Sequence, residues 1–281
     1  MRIELSSINL LDAAETIGER LPRLVAGLRE LGSDVVALQE VLPSAEGADA
    51  LHEPTVEALA DAGLLVAVHG SFADGRTNAI AYRERVLTLI EAGDLGLGEQ
   101  PQLRWQVPGV AYAVFEPVGE PGRRFAVISA HLAWGAEQGG ARLANAVRIE
   151  QHAADLASRY PGLLVFAAGD FNEVADGAAL QYLTGKLIVD GMPSFWVDLW
   201  DLLRRGDEGY TSIPSSHYAM LTARSVGIEN AGLTPSRRLD YILVRGWAYQ
   251  SLGATPDIET WGDAAAGDVS DHLGLNLGFD F

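Results

Sequence analysis

The sequence predicts an α+β fold in which two β-sheets pack against each other and helices cover their outer faces. Short β-type segments recur along the whole of the 281 residues, amphipathic helical segments lie between them, and no internal repeat or low-complexity linker interrupts the pattern. Because 48% of the residues are hydrophobic, the chain can fill one large core without disulfides or a structural metal. We therefore expect a single domain over residues 1–281.

The N-terminal segment predicts a strand followed by a helix. Residues 1–9 alternate like a strand, and apolar residues at the helical period then run from 17 to 31. Asp12 and Glu15 have the spacing of a capping box. Pro22 predicts that the regular helix begins only shortly before it, because a proline inside a helix removes a backbone hydrogen bond.

The later elements follow from the same two periodicities. Gly32 ends the first helix, and residues 34–39 predict a buried strand that leads to Glu40. Residues 119–122 read Gly-Glu-Pro-Gly, which is a turn signal between two strand segments. The other expected elements are helices over 54–62, 140–160, 178–184 and 197–205, and strands over 64–69, 78–83, 86–91, 111–118, 123–130, 163–168, 239–244, 248–252 and 273–277.

Composition and charge limit the possible functions. The chain has no cysteine, which excludes disulfides, thiolate nucleophiles and cysteine-ligated zinc. Its 38 acidic and 20 basic residues give a formal charge of −18, the opposite of what a protein that grips duplex DNA usually carries. This charge favours a small or single-stranded phosphorylated substrate, although an acidic surface that only serves solubility explains it equally well.

The N-terminus predicts a location in the cell. It lacks the unbroken apolar core of a secretory signal, and no apolar stretch in the chain reaches the roughly 20 residues that span a bilayer. We expect a cytoplasmic protein without a membrane span, and we favour a monomer.

Polar side chains stand where the predicted apolar strands end. Strand ends project side chains from a rigid frame, so residues that are distant in the sequence can meet in one pocket. Each of these residues alone also has an ordinary explanation as a turn residue, a cap or a satisfied buried group. The residues are Asn9, Glu40, His131, Asp170, Asn172, Asp240, Asp271 and His272.

The residue types suit phosphate chemistry around a hard cation. A carboxylate such as Glu40 is a hard oxygen ligand for Mg²⁺ or Mn²⁺. Asp170 can take a proton from water or hold a metal, and Asn172 can donate to a phosphoryl oxygen. Asp240 can accept the imidazole N–H of His272, which would fix the tautomer of that ring and raise its basicity.

Five short motifs, in this order, resemble the endonuclease/exonuclease/phosphatase (DNase I-like) superfamily. The resemblance implies a four-layer α/β/β/α sandwich of two packed, mostly antiparallel sheets, with the site at one end of the sheets. It also implies that the enzyme depends on Mg²⁺ or Mn²⁺ and hydrolyses phosphate esters by in-line attack of water. The motifs are Gln39-Glu40-Val41, Ser129-Ala130-His131-Leu132, Gly169-Asp170-Phe171-Asn172, Arg238-Leu239-Asp240-Tyr241-Ile242 and Ser270-Asp271-His272.

The same resemblance assigns a role to each candidate residue. In this scheme Glu40 and Asp271 hold the metal with Asn9 and Asp170 beside them, Asp170 positions the water, Asn172, His131 and Asn9 contact phosphate, His272 is the essential histidine, and Asp240 orients it. Asn78 has two interpretations, a phosphate contact or a buried strand amide. Arg237 and Arg238 likewise either bind phosphate or balance an acidic surface.

The sequence leaves three functions open. The favoured function is a phosphodiesterase or phosphatase acting on a phosphorylated small molecule or a single-stranded nucleic acid. A duplex-DNA nuclease of the same superfamily is the first alternative, and a catalytically inactive phosphate-binding module is the second. Substrate choice rests on loop residues, and four aromatic residues are candidates to stack on a base or form a wall of the pocket: Trp134, Tyr210, Tyr218 and Trp261.

Overall fold

The strands of the computed structural model form two six-stranded sheets and one small hairpin. The structure describes residues 1–45, 47–71, 77–96, 109–225, 227, 231–262 and 269–281. The strands are β1 (Arg2–Asn9), β2 (Val35–Val41), β3 (Pro43–Ser44), β4 (Gly47–Leu51), β5 (Leu65–Ser71), β6 (Thr77–Tyr82), β7 (Leu87–Gly96), β8 (Gly109–Pro117), β9 (Phe125–His131), β10 (Leu164–Asp170), β11 (Trp196–Asp198), β12 (Asp240–Arg245), β13 (Asp257–Trp261) and β14 (Gly274–Asp280).

The two large sheets are mostly antiparallel. The first has the order β13-β14-β1-β2-β6-β5, and the second has the order β11-β12-β10-β9-β8-β7. The parallel pairs among the described strands are β1 with β2 and β9 with β10. Side chains from both sheets, including Leu5, Phe125, Phe166 and Leu277, share one buried apolar cluster between them, so the sheets pack face to face.

Helices cover both outer faces and complete the four layers. Apolar residues of α1 (Ala14–Leu31) and α2 (Glu53–Asp61) pack on the first sheet. Those of α3 (Gly139–Arg159) and α4 (Ala178–Leu183) pack on the second, as the sequence predicts. No helix in the described ranges is long and apolar enough to cross a membrane. The helices α5 (Leu199–Leu203) and α6 (His217–Ser225) follow along the chain.

The inner face of each sheet changes from apolar to polar at one end of the sandwich. Along β9, the inward row begins with Phe125 and Val127 and ends with Ser129 and His131. Strand β10 lies beside it and ends with Asp170, which pairs with His131 on one side and with Asp240 of β12 on the other. Because the strand period is two, the same alternation that fills the core delivers these polar groups to one place.

The start of α1 differs from the prediction. The helix begins at Ala14, eight residues before Pro22, and its N-cap residue is Ala13, without a side-chain cap hydrogen bond. The predicted capping box of Asp12 and Glu15 is therefore wrong. Pro22 is tolerated in the interior because it and Gly18, four residues earlier, both lie on the exposed face, where water can hydrate the carbonyl that loses its partner.

Two elements of the C-terminal half also differ. The predicted strand 248–252 is a 3₁₀ helix over Gly246–Ser251, because Gly246 has a φ of +67° and the following turns bury Leu252 in the core. The predicted helix 197–205 is a short strand, β11, followed by the five residues of α5. Here Asp198 caps the helix by accepting the N–H of Trp200 at 3.0 Å.

Candidate active site

The first part of the site joins two carboxylates across the two sheets. Asn9, at the end of β1, donates from Nδ2 to Glu40 Oε1 and to Asp170 Oδ2, each at 3.1 Å. Its Oδ1 accepts the N–H of Leu11 at 2.9 Å. Asn9 therefore meets the carboxylates through its NH₂ group, and it fixes Glu40 of the first sheet against Asp170 of the second.

Asp170 is held by the turn that follows it. The Asn172 backbone N–H donates to Asp170 Oδ1 at 2.8 Å, and Asn172 Nδ2 donates to Asp170 Oδ2 at 3.2 Å and to the carbonyl of Leu132 at 3.1 Å. Burial raises the pKa of Asp170 to about 6, with His272 and His131 opposing this and Asp240 adding to it. A buried carboxylate with this pKa can exchange a proton near neutral pH.

His272 and Asp240 form a dyad. His272 Nδ1 lies 2.8 Å from Asp240 Oδ2, and His272 Nε2 lies 3.9 Å from Asp170 Oδ2. Burial alone would lower the pKa of His272, but the carboxylates of Asp240, Asp170 and Asp271 raise it well above its ordinary value. The dyad fixes the ring so that Nε2 faces the carboxylate at the centre of the site.

His131 contributes a second imidazole on the opposite side of Asp170. Its Nε2 lies 3.5 Å from Glu40 Oε1 and 3.7 Å from Asp170 Oδ2. This buried nitrogen has no hydrogen-bond partner within the described ranges. A group that offers an acceptor oxygen at this point, such as a phosphate, would satisfy it.

Asp271 brings another carboxylate within electrostatic range of Glu40. Ser270 Oγ donates to Asp271 Oδ1 at 3.1 Å. Burial raises the pKa of Asp271, and the charge of Glu40 raises it further against the opposing effect of His272. The charges of Glu40 and Asp271 therefore repel each other.

A second arrangement of possible metal ligands is also present. Ligand atoms of Asp170, Asp240 and His272 all lie within 4.8 Å of one another. Because His272 Nδ1 lies 2.8 Å from Asp240 Oδ2, an ion bound by these three groups would meet His272 at Nε2.

The backbone at the site is strained in a way that the sequence analysis missed. Of the four non-glycine residues with positive φ in the described ranges, three lie at the site, Leu11 (+51°), Glu40 (+51°) and Asn172 (+47°), and Asp190 lies elsewhere. Left-handed backbone is tolerated by asparagine but is uncommon for leucine and glutamate, and such residues concentrate at functional sites. The asparagine of Gly-Asp-Phe-Asn was the one available signal, because asparagine favours this conformation.

Two supporting groups were also missed. Gln39 Nε2 donates to Ser129 Oγ at 3.0 Å and so joins the strands that carry Glu40 and His131. Thr211 Oγ1 accepts the N–H groups of Leu239 and Asp240, each at 3.1 Å. Gln39 and Ser129 each begin one of the five motifs, so their position was a signal that they support the site. No sequence pattern indicates such a role for Thr211.

The remaining predicted residues lie outside this hydrogen-bonded centre. Asn78 is buried on β6 and donates to the carbonyl of Ser129 at 3.3 Å. Arg238 is buried and paired with Asp198 at 3.0 Å and with Asp201 at 2.7 Å, so it serves the fold. Arg237 is exposed.

The aromatic candidates divide into two groups. Tyr218 and Trp261 are buried in the protein, with 1% and 7% of their surface exposed. Trp134 and Tyr210 remain at the surface, with 60% and 44% exposed. Only the second pair is accessible to a substrate.

Comparison with known proteins identifies the family to which this arrangement belongs. A family model described as "Endonuclease/Exonuclease/phosphatase family" matches residues 17–272. No curated protein matches the sequence. Solved structures share the fold at low identity, and three examples each align with 100% of this chain.

These three structures are TDP2 and Nocturnin proteins. Truncated Caenorhabditis elegans TDP2 is 13% identical with a TM-score of 0.71 over 98% of its chain. D. rerio TDP2 in complex with a single-strand DNA product is 21% identical with a TM-score of 0.69 over 99% of its chain. The human Nocturnin catalytic domain with a bound sulfate anion is 16% identical with a TM-score of 0.70 over 93% of its chain. Because the family model spans all five motifs, the chain belongs to the endonuclease/exonuclease/phosphatase family, whose members hydrolyse phosphate esters, generally with divalent metal ions.

Proposed function

We propose that this protein is a Mg²⁺- or Mn²⁺-dependent phosphodiesterase or phosphatase that acts on a small or single-stranded substrate. One observation carries the proposal: Asp170 lies between the amide of Asn9, the turn of Asn172 and two imidazoles, His131 and His272. Such a site places a proton acceptor next to two imidazoles that can donate to a developing negative charge.

A divalent cation fits the carboxylates of this site. Burial raises the pKa of Asp271 and of Asp170, and Glu40 adds to the effect at Asp271. A cation relieves this repulsion, and oxygen donors are the ligands that Mg²⁺ and Mn²⁺ prefer. We assign Glu40 and Asp271 to the metal, with Asn9 and Asp170 beside them. When bound, the ion supplies neutralisation of negative charge on the phosphoryl oxygens.

Different side chains then accept the proton of the attacking water and stabilise the developing negative charge. Asp170 accepts a proton from the attacking water, which its raised pKa favours. Asp240 holds His272, and the Nε2–H of His272 donates to the developing charge on phosphorus-bound oxygen. We assign a phosphate contact to His131, whose Nε2 has no hydrogen-bond partner among the described residues. We also assign contacts to Asn172, Asn9 and Asn78, and Asn172 and Asn9 would each exchange one of the hydrogen bonds that their NH₂ groups now make.

The preference for a small or single-stranded substrate is supported by the net charge of the chain and by its similarity to two solved structures. The net charge of −18 disfavours a long duplex polyanion. The D. rerio TDP2 structure contains a single-strand DNA product, and the human Nocturnin structure contains sulfate, which has the shape of phosphate. Both ligands match a site that takes a tetrahedral anion without gripping a duplex.

Hydrolysis of bis-p-nitrophenyl phosphate tests the proposal. We expect release of p-nitrophenol by the purified protein with Mg²⁺ or Mn²⁺ and none above background with EDTA. A preparation that gives no metal-stimulated hydrolysis of this ester, of nucleotides or of nucleic acids would instead identify a phosphate-binding module. Calorimetric titration with inorganic phosphate would then detect the retained binding.

A further inference from the structure

One exposed indole stands on a segment that leads directly out of the site. Trp134 follows His131 by three residues, which limits the Cα separation to roughly 11 Å. The two residues between them, Leu132 and Ala133, are buried, whereas Trp134 is 60% exposed. The change from buried to exposed brings a large aromatic side chain to the surface at the edge of the site.

The backbone on both sides of Trp134 is firmly held. Arg142 of α3 is buried, and its Nη1 donates to the carbonyls of Ala133 at 2.9 Å and Gly135 at 2.7 Å. Its Nε donates to Glu173 Oε2 at 3.0 Å, in the residue that follows Asn172. The segment that carries Trp134 is therefore tied to the same turn that holds Asp170.

A rigid, exposed indole beside an anion site suits a particular kind of ligand. Indole loses little conformational entropy on binding and stacks well on flat π-systems. A fixed backbone limits the positions that the ring can take, which lowers the entropic cost of such a contact. The indole is uncharged and has a single N–H donor, so most of its surface suits the organic group that the phosphate carries and not the phosphate itself.

We propose that Trp134 is a specificity-determining residue that stacks on a planar aromatic ring carried by one of the ester substituents of the phosphate that is cleaved. The inference rests on the proposed function and deepens it, because it names the chemistry of the substrate next to the phosphorus atom. The aromatic group can be a nucleobase or an aryl leaving group. Arg142 and Glu173 act as positioning residues for the indole.

Two phosphodiesters that share the p-nitrophenol leaving group distinguish stacking on a nucleobase from stacking on the leaving group. Thymidine 5′-(p-nitrophenyl phosphate) carries a base, and methyl p-nitrophenyl phosphate does not. We expect Trp134→Ala to raise KM for the thymidine ester about tenfold, in line with base stacking on aromatic side chains. Trp134→Phe should retain most of the affinity, because it keeps a flat ring.

The control is Trp247→Ala. Trp247 is 66% exposed, but it follows the far end of β12, roughly 17 Å along the strand from Asp240. This variant should leave both KM values unchanged. Calorimetric titration of each protein with thymidine 5′-phosphate provides a readout that does not need turnover.

The outcomes distinguish the inference from the function on which it rests. A rise in KM for the thymidine ester alone supports stacking on the base, and an equal rise for both esters supports stacking on the leaving group. Unchanged KM values and unchanged nucleotide affinity in Trp134→Ala overturn the inference. A wild-type protein that hydrolyses neither ester with Mg²⁺ or Mn²⁺ refutes the proposed function, and calorimetry still tests Trp134 in that case.

Discussion

At the scale of single residues, the site is a set of charged groups held in one arrangement by amides and hydroxyls. Asn9 bridges Glu40 and Asp170, and Asn172 holds both oxygens of Asp170. These neutral donors let carboxylates stand near one another inside the protein. Burial still raises the pKa values of Asp170 and Asp271, so the site stores electrostatic repulsion that a cation or a protonated imidazole relieves.

Replacement of His272 tests the dyad. We expect His272→Ala to lower kcat/KM on the order of 10²-fold or more, because one donor to the transition state is lost. Circular dichroism should show an intact fold. His217→Ala is the matched control, because His217 is exposed on α6. Wild-type turnover in His272→Ala would disprove the assignment of His272.

Neutralising Asp271 should have opposite effects on stability and on metal response. Without added metal, we expect Asp271→Asn to raise Tm by about 2 °C, because it removes a charge that burial and Glu40 disfavour. Mg²⁺ should raise the Tm of the wild type but not that of the variant. Differential scanning calorimetry with EDTA and with Mg²⁺ measures both effects. An equal Mg²⁺ response in the two proteins would exclude Asp271 as a ligand.

At the scale of secondary-structure elements, the parallel pair β9 and β10 depends on one glycine. Gly169 has a φ of +146°, and a Cβ at this position would stand 2.0 Å from the carbonyl oxygen of Ala130. No side chain fits there while the pairing of Asp170 with His131 is kept. The glycine of the Gly-Asp-Phe-Asn motif is therefore required by close approach of two backbones.

The variant Gly169→Ala tests this requirement. We expect a loss of about 3 kcal/mol in the free energy of unfolding, together with displacement of Asp170 and loss of turnover. Gly162→Ala is the control, because Gly162 also has a positive φ (+80°) but open space around it. Its loss should be about 1 kcal/mol, with activity retained. Urea denaturation of both variants makes the comparison, and equal losses would show that the close contact is unimportant.

A network around Glu91 links the end of α3 to the edge of the second sheet. Hydrogen bonds from Arg159, and then from Tyr160 and Tyr112, lower the pKa of Glu91 to about 2 against the effect of burial. Because the folded-state pKa lies below the ordinary value of 4.5, the network stabilises the protein above that pH, and the contribution is lost as the pH falls toward 2.

Glu91→Gln should remove this pH-dependent contribution to stability. We expect the variant to be less stable than the wild type by about 1 kcal/mol at pH 7, a value reduced by the partial exposure of the pair. The difference should shrink as the pH is lowered from 4.5 toward 2. Urea denaturation across this range gives the difference at each pH. A difference that does not depend on pH would mean that charge is not its cause.

At the scale of the whole molecule, charge and burial both limit contact with nucleic acid. The chain has 20 lysine and arginine residues, and two arginines near the site form buried ion pairs within the protein. Arg142 is buried against Glu173, and Arg238 is buried against Asp198. These side chains are thus unavailable to phosphates along a duplex.

The salt dependence of DNA binding should therefore be shallow. We expect the logarithm of the binding constant for duplex DNA to fall with the logarithm of salt concentration with a slope of about −2 or less in magnitude, since each neutralised phosphate contributes about −0.9. Fluorescence anisotropy over a salt series measures it, with a single strand of the same sequence as the control. A slope of about −6 would favour the duplex nuclease.

Sequence patterns that depend on neighbouring residues gave correct predictions, and those that depend on tertiary contacts did not. Alternation and strand ends identify Glu40, His131 and Asp170 because both signals are local. The rule that forbids interior proline failed at Pro22, because exposure of one helix face is a tertiary property. The strand predicted over 248–252 failed for a similar reason, since burial of Leu252 fixes a 3₁₀ turn there.

Periodicity and short motifs, which neighbouring residues carry, were enough to predict the four-layer fold, the family and the polar residues at the strand ends. Which atoms meet depends on tertiary packing: the NH₂ group of Asn9 between two carboxylates, the left-handed backbone at Glu40, and the Arg142 contacts with the backbone beside Trp134. These contacts join residues up to 161 positions apart. Their geometry is set by how the two sheets pack, which local pattern does not encode.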